Sequence, residues 1–166
     1  MDSENACVFC EMVAGRVECH RIWEDDQHLA FLSSFPNTVG VSVVIPKAHH
    51  ESYVFQVPEA VVQGLMHAVR SVAQLLDATF EDVGRCAMAF EGFGVNHLHA
   101  KVFPLHGTNI GPWRKLSRPQ EKFFSEYEGF VSTHDGAPWS PEELDQLAER
   151  IRNVAAASGL SAPAPS

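Results

Sequence analysis

A chain of 166 residues, 45% of them hydrophobic, can bury a core of its own, and its length argues for one domain, read as residues 1–155 with a flexible tail at 156–166. A formal charge of -9 excludes non-specific attraction to nucleic acid or anionic membranes, because the long-range field repels phosphate polymers. No apolar run approaches the length that spans a bilayer, and Met1-Asp2-Ser3-Glu4-Asn5 is acidic where a secretory signal would be basic and then apolar, so the expected compartment is the cytoplasm.

The first feature along the chain is Cys7-Val8-Phe9-Cys10, expected on a short N-terminal turn. Strands are predicted at Arg21–Glu24 and His28–Leu32, joined through the acidic turn Asp25-Asp26-Gln27. A third, Val41–Ile45, is β-branched and stops at Pro46. Pro58-Glu59 then opens a long helix that carries Val61, Leu65, Val69, Val72 and Leu76 at helical spacing. Strands at Cys86–Phe90 and His97–Phe103 follow, the latter closed by Pro104. Ser140-Pro141-Glu142-Glu143 is a capping box with proline at the first helical position, and Leu144, Leu147 and Ile151 continue that helix. Glu126–Ser132 reads as an added edge strand that helps pair subunits. The fold class is therefore α+β, a five-stranded antiparallel sheet with a long helix on one face and a C-terminal helix.

Four cysteines in a cytosolic chain read as metal or redox groups before disulfides. A structural zinc site needs four soft or borderline ligands in a tetrahedron, and Cys7 and Cys10 can grip one edge of it. His49, just past the third strand, and His97 complete the set, which places metal ahead of a Cys-x-x-Cys oxidoreductase. His50 and His106 compete for the same work. On a strand, residues two apart share a face, so His97, His99 and Lys101 line one side: the first histidine anchors while the second does chemistry.

Cys7-Val8-Phe9-Cys10, Leu29-Ala30-Phe31-Leu32, Val43-Val44-Ile45-Pro46-Lys47-Ala48-His49 and His97-Leu98-His99-Ala100-Lys101 together resemble, in order and spacing, the histidine triad (HIT) family of nucleotide hydrolases and transferases. The resemblance implies a HIT-like fold, a homodimer and a small-molecule nucleotide substrate. It also implies that His99 attacks the α-phosphorus of a nucleoside phosphoramidate, dinucleoside polyphosphate or nucleotide sugar, forming a covalent nucleotidyl-histidine. Its zinc-bearing members bind a structural zinc through positions that match Cys7, Cys10, His49 and His97. Nucleotide binding falls to Phe31, Ser33, Gly92, Gly94 and Asn96.

The chain departs from that pattern in four places. Lys101 replaces the third histidine, an ammonium that can grip a phosphate oxygen but is a poor proton donor unless its pKa is lowered. The loop before the triad is only Glu91-Gly92-Phe93-Gly94-Val95-Asn96. Ser33 stands where a ribose-binding aspartate is common, and Val41 where histidine or threonine often follows glycine. These departures keep a rival reading open, a non-catalytic zinc-stabilised nucleotide-binding or regulatory protein. The basic run Trp113-Arg114-Lys115-Leu116-Ser117-Arg118 reads as a segment able to close over a phosphate, or as a solvated loop with a packed tryptophan.

Overall fold

The structure, a computed structural model, describes residues 7–113 and 137–157. Within them lie α1 (Val8–Val13), β1 (Arg21–Glu24), β2 (His28–Leu32), β3 (Ser42–Pro46), a 3-10 turn (Val54–Gln56), α2 (Glu59–Thr79), β4 (Cys86–Ala89), β5 (Ala100–Pro104) and α3 (Pro141–Ala157). The strands form one sheet in the order β1-β2-β3-β5-β4, and every neighbouring pair is antiparallel. The expected α+β class, its five strands and its two long helices are all present. The expected edge strand Glu126–Ser132 and residues Arg114–Arg118 lie outside the described residues.

The β1–β2 turn is held by a single carboxylate. Asp25 accepts the backbone N–H groups of Gln27 at 2.8 Å and His28 at 2.6 Å, and the His28 ring at 3.0 Å. Burial disfavours the ionised carboxylate, yet these three donors outweigh it and hold its pKa below the ordinary range.

The sheet is covered on both faces, which is why β2 and β3 read as unbroken apolar runs rather than alternating ones. On one face Ala30, Leu32, Val44, Ala100 and Val102 join Leu65, Val69, Val72 and Leu76 of α2 and Leu144, Ala148 and Ile151 of α3 in one core. On the other, Leu29, Phe31, Val43 and Ile45 pack around Phe9 of α1. Each fully buried side chain of this size contributes about 1.5–3 kcal/mol. The α3 capping box forms as read: Ser140 N donates to Glu143 Oε2 at 3.0 Å, and Glu143 N to Ser140 Oγ at 3.3 Å. Arg150 then donates to the Thr79 carbonyl at the end of α2, and Arg152 to the Arg21 carbonyl on β1. The helix runs to Ala157, past the point where the tail was expected to begin.

Three local expectations change. The N-terminal turn is a helix, with Glu11 N donating to Cys7 O at 3.0 Å. The third strand is displaced by one residue, to Ser42–Pro46. The fifth begins at Ala100 rather than His97. Pro46 has no N–H with which to extend the β3–β5 ladder, its carbonyl is taken by the His97 ring, and Leu98 N turns to His50 O at 2.8 Å. The alternation nevertheless survives: Leu98, Ala100 and Val102 face the helices, while His97 and His99 face Phe9. Among the described residues no helix is long and apolar enough to cross a membrane.

Candidate metal centre and reactive cavity

One turn of α1 sets Cys7 and Cys10 side by side, and the segments that follow Pro46 and Val95 deliver His49 and His97 to them. One ligand atom from each of these four residues lies within 4.8 Å of all the others. Cys7 Sγ is 3.4 Å from His97 Nδ1, Cys10 Sγ is 3.4 Å from His49 Nδ1, and Cys10 Sγ is 3.6 Å from His97 Nδ1. A tetrahedron built on metal–sulfur and metal–nitrogen bonds of about 2.0–2.3 Å has edges of roughly 3.3–3.8 Å, so these separations fit a central ion. The tautomer fits as well. His97 Nε2 donates to the Pro46 carbonyl at 2.9 Å, which leaves Nδ1 as the lone-pair nitrogen aimed at the sulfurs. Burial lowers the His97 pKa and favours its neutral form, and burial together with Cys7 pushes the Cys10 thiol up. Two adjoining thiols of this kind become thiolates when a cation binds them. All four cysteines are free of disulfides.

The carbonyl of His97 aims the next histidine. His99 Nδ1 donates to it at 2.7 Å, so the lone pair of His99 resides on Nε2. His99 is buried, with the Phe9 ring edge-on at 5.4 Å, and lines a cavity of about 280 Å³. Burial first, and then the charge of Lys101, lower its pKa, while the hydrogen bond to the His97 carbonyl and the charge of Glu91 act in the opposite sense.

The cavity brings together most of the residues singled out from sequence. Phe31, Ser33, Gly92, Gly94, His99 and Lys101 all line it. Asn96 is not among its lining residues: its Oδ1 accepts Ser52 N at 3.0 Å and braces the loop from behind. The Ser33 hydroxyl accepts Phe35 N–H at 3.2 Å. Gly92 has φ +74°, and a Cβ there would stand 2.9 Å from the Ser52 carbonyl oxygen, so this position requires glycine. A Cβ at Gly94 would meet nothing within 4 Å. His50 lines a different cavity, beside Lys47 and the start of α2. His106 is spent elsewhere, bridging Asp82 at 3.1 Å and the Val39 carbonyl at 3.0 Å. Trp113 is 77% exposed rather than packed.

Sequence reasoning missed part of the wall. Phe9 and Met12 arrive on α1, whose helical turn was not foreseen, and Phe35 and Phe93 stand exposed at the cavity. Glu18 and His20 also line it, because Leu32 N bonds His20 O at 3.0 Å and draws residues 18–20 alongside 32–34. The ring of His20 is held by Asp145 of α3 at 2.8 Å. No local pattern announces a contact between residues 125 positions apart.

Comparison with known proteins agrees with this geometry. The protein hit of Bacillus subtilis is 31% identical over 109 residues, 63% of this chain and 74% of that protein. Adenosine 5'-monophosphoramidase hnt1 of Schizosaccharomyces pombe is 26% identical over 150 residues, covering 88% of this chain and 96% of that enzyme. The crystal structure of a Zn-bound histidine triad family protein from Mycobacterium smegmatis superposes with a TM-score of 0.66 at 21% identity, over 93% of this chain and 96% of that one. Residues 14–108 match the HIT domain, and the chain belongs to that family.

Proposed function

We propose that this protein is a nucleotide hydrolase or nucleotidyltransferase in which His99 attacks the α-phosphorus of a bound nucleotide, on a scaffold stapled by a structural zinc. The observation that carries this reading is the 2.7 Å bond from His99 Nδ1 to the His97 carbonyl, which reserves Nε2 for attack inside the cavity. The Nε2 lone pair forms the N–P bond as the bond to the departing group breaks, and that group leaves with the electron pair, an amine taking up a proton from solvent as it departs. Water then attacks the same phosphorus, gives a proton to solvent and releases nucleoside monophosphate and neutral His99. Lys101, on the cavity wall, offsets charge on the phosphoryl oxygens, and most of the acceleration comes from positioning. The name of the fission-yeast relative, a monophosphoramidase, favours a phosphoramidate among the candidate substrates.

Zinc fits the two sulfurs and two imidazole nitrogens of Cys7, Cys10, His49 and His97. Held by all four residues, a zinc would supply rigidity rather than an activated water. By holding His97 it would stiffen the backbone carbonyl that aims His99. The sheet ends at β4, where Met88 is 47% exposed, and a second copy pairing there would make the homodimer that the family resemblance implies.

The test is intact-protein mass with nucleotide release, for wild type and His99→Ala, on an adenosine phosphoramidate, dinucleoside polyphosphates and nucleotide sugars. A transient nucleotidyl adduct with turnover, both lost in His99→Ala, is the expected result. Binding without adduct or turnover on any of them would favour a non-catalytic nucleotide-binding protein, which Lys101 and the engaged Ser33 hydroxyl both suit. Metal analysis of the same preparation is expected to find one zinc per chain, and none bound tightly in Cys10→Ser.

A further inference from the structure

The matched HIT domain ends at residue 108, yet α3, which lies beyond it, is tied to one wall of the His99 cavity at three points. The His20 ring donates Nδ1–H to Asp145 Oδ1 at 2.8 Å. Arg152 donates to the Arg21 carbonyl at 2.6 Å, and Trp139 N–H, just ahead of the helix, to the Ser34 carbonyl at 3.3 Å. His20 and Ser34 both line the cavity, and the bond from Leu32 N to His20 O joins their two segments. Folding does not call for the Asp145 tether. Leu144, Ala148 and Ile151 already anchor α3 in the core, and the Asp145 side chain is 72% exposed, where an ion pair adds little to stability.

The register of the sheet shows what that wall meets. Lys101 stands opposite Val43, Val43 opposite Phe31 and Phe31 opposite Arg21, so one cross-strand row runs over β5, β3, β2 and β1. Lys101, Val43 and Phe31 line the cavity, which ends past Phe31 against residues 18–20 and 33–35. Neighbouring strands are about 4.8 Å apart, so this wall stands roughly 10–14 Å from β5. A nucleotide with its phosphorus at His99 lies along the row, sugar and base over Val43 and Phe31, and meets the wall with its nucleoside end. We infer that α3 holds the nucleoside-facing wall in place, and that Asp145, acting through His20, is a positioning residue for nucleotide affinity. This rests on the cavity being a nucleotide site but not on His99 being the nucleophile, and it extends the site to a helix outside the matched domain.

The test is calorimetric affinity for adenosine, guanosine, cytidine and uridine monophosphates, in wild type, Asp145→Ala, Asp145→Asn, His20→Ala and the double variant His20→Ala/Asp145→Ala. For the tightest of the four, Asp145→Ala is expected to lose about threefold to tenfold, the scale of one hydrogen bond. Asp145→Asn keeps a carbonyl oxygen that accepts the Nδ1–H, and its affinity is expected to stay close to wild type. In the double variant the Asp145 substitution is expected to cost nothing beyond His20→Ala, because the two residues act as a unit. The denaturation midpoint of Asp145→Ala, which a merely structural role would lower, is expected to hold. Affinity unchanged in Asp145→Ala, or lowered as much again in the double variant, overturns the role of Asp145 and leaves the nucleotide site standing. A wild type that binds none of the four overturns the nucleotide site and the inference together. Binding without turnover, with the same pattern among the variants, upholds the inference apart from the His99 chemistry.

Discussion

At the residue scale, direction matters more than identity in this site. Nine histidines occur in the chain, and what separates His97 and His99 from the others is which nitrogen each has already used. His97 donates Nε2 to Pro46 and offers Nδ1 to the sulfurs; His99 donates Nδ1 to His97 and offers Nε2 to the cavity. The residue types and their spacing were legible in the sequence, but these tautomers were not, since each depends on a carbonyl placed by tertiary structure. Lys101 is the residue with most to prove. Lys101 lines the cavity two positions from His99, so Lys101→Ala is expected to lower kcat by about 10²-fold, the scale of losing one group that meets developing charge. Undiminished turnover in that variant would remove Lys101 from the phosphoryl site.

At the element scale, periodicity announced almost everything that is regular and almost nothing that is bent. β1 and β2 fall where the short apolar runs and the turn chemistry between them put them, and α2 opens behind Pro58 with the anticipated face buried. What escaped was short and held from afar: α1, six residues long, and the histidine segment that leaves the ladder before β5. Both lack a local hydrogen-bond pattern strong enough to show in sequence, and both are fixed by contacts across the sheet. The entry to β3 is a different kind of constraint. Gly40 has φ +83°, and a Cβ there would lie 2.7 Å from the Phe80 ring at the end of α2. Gly40→Ala is therefore expected to cost about 1–3 kcal/mol, read as a lower midpoint in chemical denaturation, whereas Gly94→Ala meets no atom within 4 Å and is expected to be nearly neutral.

At the scale of the whole molecule, part of the acid limb of stability follows from groups far from the site. Asp25 is held below its ordinary range by the donors that outweigh its burial, Asp82 by the His106 ring and the Gly107 N–H, and Glu143 by Ser140. Each folded pKa lies under the unfolded one, so the unfolded chain binds more protons between the two values and stability rises with pH there. Their contribution is complete above the ordinary carboxylate range, about pH 5, and is lost as pH falls through the depressed folded values beneath that range. Thermal melts from pH 6 down to pH 2 are expected to show that decline, shallower in Asp25→Asn; an identical slope in that variant would assign the acid sensitivity to other groups. The four-ligand cluster has a consequence of another kind, in the statistics of the open chain. Cys7 and His97 are 90 positions apart, so an ion gripping both ties the first helix to the threshold of the last strand of the sheet. Closing a loop of that length in a flexible chain costs about 4 kcal/mol in its length-dependent part alone. A metal that stayed on through unfolding would leave the denatured protein a ring instead of a free thread, and the return path would be shortened by a closure already made.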